Sequence, residues 1–183
     1  MRQTLINLPV LVALVVMAGV PVAVLAQDDV EITTLAREDH LLVSLELPGA
    51  YSGDVREAVA SGLETTFNFD VELRRAVAYW PDETVDRASI STSVSLDGLT
   101  GRYRVVRMVN GAVVDVRVVE EEGAARELLT TMERLPLFST RDLETNGDYG
   151  VRVRMDRRPR TSWFRWPWDR AAALGRASFT FLP

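Results

Sequence analysis

Residues Ala88–Val119 read ASISTSVSLDGLTGRYRVVRMVNGAVVDVRVV, three apolar-alternating runs separated by Asp97-Gly98 and Asn110-Gly111. Both dipeptides suit a two-residue hairpin turn, because Asp, Asn and Gly best tolerate positive φ at its central positions. Register taken from the first turn pairs Leu96 with Leu99, Val94 with Gly101, Thr92 with Tyr103 and Ile90 with Val105. Register taken from the second pairs Val109 with Ala112, Arg107 with Val114, Val105 with Val116 and Tyr103 with Val118. The two turns place the same residues of the middle run on the apolar face, and a slip of one residue would undo that agreement. The stretch is therefore predicted to be a three-stranded antiparallel meander. Ser91, Ser93, Ser95, Arg102, Arg104 and Arg117 face outward, with Arg104 opposite Arg117.

Upstream, Thr66–Trp80 reads TFNFDVELRRAVAYW, and Phe67, Phe69, Val71 and Leu73 alternate strictly with Asn68, Asp70, Glu72 and Arg74. A period of two puts the four apolar side chains on one face of a half-buried strand. Fifteen residues would reach about 50 Å, longer than most strands, so a bend or bulge is expected near Arg74-Arg75, with Pro81 ending the run. Before it, Val30–Ala36 and His40–Leu47 read as two strands around the turn Arg37-Glu38-Asp39. Ser52 opens a short helix bearing Val55, Val59 and Leu63 on one stripe, and Gly62 ends it. After the meander, Glu120–Glu122 opens a helix predicted to carry Ala125, Leu128, Leu129, Met132 and Leu135, closed by Pro136. Tyr149–Met155 and Ser178–Phe181 alternate as further strands. The fold class expected is mainly β with two helices (α+β), an antiparallel β-sandwich-like domain preceded by an N-terminal signal helix.

That leader is the apolar run Leu5–Leu25 behind Arg2, closing on Val24-Leu25-Ala26. Its build is that of a secretory signal peptide cut after Ala26, residues 1–26, leaving 27–183 as a single β-rich domain. An uncleaved inner-membrane anchor is the alternative, since the run is about as long as a bilayer span. The expected location is periplasmic or exported.

The 183 residues contain no Cys, which excludes disulfides and thiolate metal sites, and one His, which excludes zinc sites built on two or three. All 21 basic residues are Arg. From Gln27 to Tyr149 there are 24 acidic residues against 12 Arg, a net charge of −12; from Gly150 to Pro183 there are 2 against 8, a net charge of +6. A basic tail on an acidic body folds back on it or meets an anionic partner.

The segments TFNFDVELRR, AYWPDETV, LTGRYRVV, AARELLTTMERLPLF and NGDYGVRVRMD, in that order between Glu31 and Asp156, carry a resemblance. The chain resembles the exported bacterial family catalogued as domain of unknown function 4390. The resemblance implies an exported or membrane-facing bacterial protein with no established activity and no catalytic residues to assign. Past Asp156 the chain departs from the family pattern, ending in WFRWPWDRAAALGRASFTFLP.

His40, in a polar turn, is better read as a solvated residue than as a catalyst, and no nucleophile-elbow sequence accompanies it. Asp142–Asp148 imitates the start of a calcium loop, but Val153 stands where a bidentate Glu is needed, so a plain turn is the better reading. No catalytic, cofactor-binding or metal residues are assigned, and no cofactor is expected.

One segment invites a binding role. Arg157, Arg158, Arg160, Arg165 and Arg170 interleave with Trp163, Trp166 and Trp168. Guanidinium groups beside indoles suit phosphate or glycan at an interface, and the plainer reading is that the rings close one end of the domain under Arg stems. The function expected is a non-enzymatic binding or accessory domain of the bacterial cell envelope. Its partner would be a membrane-protein ectodomain or an anionic envelope component; export argues against nucleic acid. The alternative is a cell-envelope hydrolase or lyase whose carboxylates the sequence does not single out.

Overall fold

The computed structural model describes residues 30–156 and 174–182. Along them run β1 (Glu31–Arg37), β2 (His40–Glu46), α1 (Gly53–Ala60), β3 (Thr65–Arg75), β4 (Glu83–Asp97), β5 (Arg102–Val109), β6 (Ala112–Val119), α2 (Glu122–Thr130), β7 (Thr131–Ser139), β8 (Asp148–Asp156) and β9 (Leu174–Thr180). All strand pairs are antiparallel. One sheet has the order β1-β2-β7 and the other β6-β5-β4-β3-β8-β9. The protein is thus mainly β with two helices, and the predicted leader, residues 1–26, lies outside the described residues.

Both sheets feed one hydrophobic core. Leu41, Val43 and Leu45 of β2 meet Phe67, Phe69, Val71 and Leu73 of β3, with Ile90 and Val94 of β4 and Val151, Val153 and Met155 of β8. Each such side chain stabilises the fold by about 1.5–3 kcal/mol relative to exposure. β1 and β9 lie together where the sheets meet, and a Cβ built on Gly175 would stand 2.5 Å from the Val30 carbonyl oxygen. Only a residue without a side chain fits there.

The alternation of β3 is as expected, and a bulge does interrupt its pairing between Leu73 and Arg74, leaving Val85 of β4 unmatched. The chain turns away from α1 at Gly62, which takes φ +83° and donates its N–H to the Val59 carbonyl while the Leu63 N–H reaches back to the Ala58 carbonyl. The expected meander exists, but its register differs at the first corner and again beyond the second. Asp97 pairs with Arg102, so the first loop has four residues, and Leu96 meets Tyr103, Val94 meets Val105 and Ile90 meets Val109. The cause is the Asp97 side chain. Its Oδ1 accepts the N–H groups of Leu99 (2.9 Å) and Thr100 (3.4 Å), and Gly101, at φ +67°, closes onto the Asp97 carbonyl. Because the displacement is an even number of residues, the buried face is preserved.

The second corner forms as read, with Val109 opposite Ala112 and positive φ at Asn110 and Gly111. A bulge at Val114 then shifts the register by one, which brings Arg107 opposite Asp115, Val105 opposite Arg117 and Tyr103 opposite Val119. Arg104 therefore faces Val118 and not Arg117, and Val116 and Val118 turn outward, 46% and 58% exposed. Arg107 is half-buried and donates from Nη2 to the carbonyls of Leu128 (2.7 Å) and Thr131 (3.0 Å), at the negative end of α2. Burial pushes its guanidinium below the ordinary arginine pKa, and the Asp115 carboxylate brought opposite it offsets that.

The second helix is shorter than expected. α2 stops at Thr130, and Met132, Leu135 and Pro136 belong to β7, which pairs with β2. Two irregularities in that pairing each insert one residue, so that Met132 lies opposite Leu45, Leu135 opposite Val43 and Phe138 opposite Leu41. Arg134 sits at φ +49° in the first of them. Inserted residues turn a period of two into a spacing of three, which imitates a helix. Pro136 is tolerated because β7 is at the edge of its sheet.

Candidate functional site

The β3–β4 connection carries the most exposed aromatic residues among those described: Tyr79 is fully exposed and Trp80 is 76% exposed. Its base is tied down at two points. Ala76 donates its N–H to the Asp148 carbonyl (2.8 Å), and Arg74 Nη2 donates to the Asp82 carbonyl. Between them, Trp80 N–H closes a turn on the Val77 carbonyl, with Tyr79 in the third position at φ +67°. Gly or Asn is usual there, since a left-handed conformation disfavours an ordinary side chain by about 1–2 kcal/mol. Backbone strain of this kind concentrates where a loop serves a function. Pro81 follows and keeps the loop from rejoining the ladder early.

Beside the base of this tip is a groove of about 550 Å³ lined by Arg74, Asp82, Asp148, Arg176 and Thr180, with Tyr149 and Phe179 as its floor. Those two rings stack at 6.0 Å. The polar groups are already engaged: Arg176 Nη2 lies 3.4 Å from Asp82 Oδ2, and Asp148 Oδ1 accepts from the Thr180 hydroxyl at 2.7 Å. A second groove, about 490 Å³, crosses the outer face of β3 and β4 between Asp70, Glu72, Arg87 and Arg154. There Glu72 is 3.7 Å from both Arg74 and Arg87. Glu72 acts as an ion-pair partner on a sheet face, where such contacts contribute roughly 0–1 kcal/mol each.

His40 and the Asp142–Asp148 segment are placed as the sequence predicts. His40 is exposed at the start of β2, its Nδ1 2.9 Å from the Glu38 carbonyl oxygen. Asp142–Asp148 is a turn in which Leu143 is buried and the Tyr149 hydroxyl accepts the Glu144 N–H, 2.9 Å. Among the described residues no three His, Asp or Glu side chains come together as metal ligands, and no helix is long and apolar enough to cross a membrane. Arg157, Arg158, Arg160, Trp163, Arg165, Trp166, Trp168 and Arg170 lie outside the described residues.

Residues 27–166, most of the chain, match the family described as Domain of unknown function (DUF4390). The protein belongs to that family. No curated protein and no solved structure matches it. In this DUF4390 member the tip escaped the sequence reading because an aromatic pair after an alternating strand reads as more strand. The signal available was Pro81 directly after Trp80, which places the pair at the turn.

Proposed function

We propose that this chain is an exported, non-enzymatic binding or accessory domain of the bacterial cell envelope, its two sheets facing each other as a β-sandwich. It captures the ectodomain of a membrane protein through the Tyr79-Trp80 tip. The observation that carries this reading is the pair itself: two large amphipathic rings held in solvent on a turn that works against its own backbone preference. Tyr and Trp dominate the few residues that supply most binding energy at protein interfaces, because they bring large contact area with little rotamer freedom to lose. Asp82, Glu83 and Asp86 follow the tip and disfavour an anionic lipid surface as the target. The leader Leu5–Leu25 supports delivery across the inner membrane.

The test is a photo-crosslinking residue placed at Trp80 in cells producing the full chain, beside one at the still more exposed Leu99. The reading expects one discrete membrane-protein adduct from position 80 and none from position 99. Equal labelling at both positions, or labelling of lipid alone at position 80, would contradict it.

A further inference from the structure

We infer that β6 is a seam at which two copies of this chain pair antiparallel about a twofold axis through Val116, on a surface separate from the aromatic tip. β6 ends the order of the larger sheet, and among the described residues nothing pairs with its outer edge. An open edge offers a row of unpaired N–H and C=O groups, which proteins usually blunt with charged side chains, Pro, bulges or a very short strand. β6 has eight residues, AVVDVRVV, with no Pro; its bulge lies at Val114, and its two charges, Asp115 and Arg117, are of opposite sign. Val113, Val114, Val116 and Val118 are all between 46% and 58% exposed. The bulge at Val114 puts Val116 beside Val106, and Val113 lies beside Met108, so an apolar patch continues from the edge onto the outer face of β5.

Charge selects the occupant and the register. Asp115 and Arg117 flank Val116, share one face, and within one copy stand 3.0 Å apart. Antiparallel pairing centred on Val116 sets each Asp115 opposite the second copy's Arg117, twice over, with Val114 against Val118 and Val116 against itself. Centring one residue earlier opposes Asp115 to Asp115, and one residue later opposes Arg117 to Arg117. Parallel pairing in register opposes both like charges. Opposite charges directly across strands attract and like charges repel, so this short segment is complementary to itself in one arrangement. The seam is small beside the roughly 1,600 Å² of a standard interface, and the dimer dissociates on dilution.

The chain lacks Cys, so a single introduced thiol reports its own neighbourhood. Val116→Cys in the full chain, oxidised in intact cells, should give a disulfide-linked dimer at least fivefold above Leu99→Cys, since residues directly opposed across strands have Cβ atoms about 4.5–5.5 Å apart. Val118→Cys should dimerise poorly alone and well with Val114→Cys. On the Val116→Cys background, Asp115→Arg and Arg117→Asp should each reduce the crosslink about tenfold, and the double reversal should restore it. A folded control by circular dichroism accompanies each variant. Val116→Cys no better than Leu99→Cys, failure of the double reversal to rescue a folded protein, or a crosslink from position 116 to a different protein would each overturn the inference.

Discussion

Replacing Arg107 with Met keeps the apolar stem in place and removes the two donors that close the end of α2. Each hydrogen bond from a charged group contributes about 1.5–3 kcal/mol, and the carbonyls left behind lose their partners in a largely covered site. The favourable placement of a cation at a helix C-terminus adds about 0.3–1 kcal/mol. Together these give roughly 3–7 kcal/mol, and because water reaches part of this side chain the lower half applies, so the expected loss is about 3–5 kcal/mol. That is a large share of a total stability of about 5–15 kcal/mol. Arg107→Lys keeps the charge but is shorter than the guanidinium stem that carries the one nitrogen, Nη2, to both Leu128 and Thr131, and should lose about half as much. Urea unfolding followed by far-ultraviolet circular dichroism reads both values at a shared slope. A loss below about 1 kcal/mol for the Met variant, or equal losses for Met and Lys, would refute the role given to this guanidinium.

Three further outcomes are expected. Phe69→Ala, at a fully buried position in the middle of β3, should destabilise by about 3–5 kcal/mol in the same assay; a value near 1 would mean the core lies elsewhere. Asp97→Ala should lower stability at neutral pH, because hydrogen bonds from Leu99 and then Thr100 hold this carboxyl below its usual pKa. A depressed folded-state pKa gives stability that is present above the unfolded value and lost as pH falls through the folded one, so the gap between wild type and variant should close in acid; a gap that widens there would be contrary. Gly175→Ala should destabilise by about 1–3 kcal/mol by driving β9 from the Val30 carbonyl, and a neutral result would mean the two sheets are not held together at β1 and β9.

Much of this architecture can be read from residue order. Strict alternation exposed β3, and Asn110-Gly111 gave its corner correctly because both residues take positive φ at little expense. The other corner was misplaced because Asp97 builds a longer loop with its own carboxylate. The start of β7 reads as the end of a helix because inserted residues space Met132, Leu135 and Phe138 three apart. Val116 and Val118 read as core because a bulge leaves no mark in a run of valines. The tip was hidden for a related reason. Hydrophobicity predicts burial, so exposed aromatic residues look like core until a fold places them.

The claim that the tip is strained for the sake of binding separates stability from capture. Tyr79→Asn together with Trp80→Ser should leave urea stability unchanged or raise it by up to about 1 kcal/mol, since Asn tolerates the left-handed backbone, while the adduct captured from intact cells through a crosslinker at Val85 disappears. Retained capture, or lost capture accompanied by a stability loss of several kcal/mol, would contradict the claim.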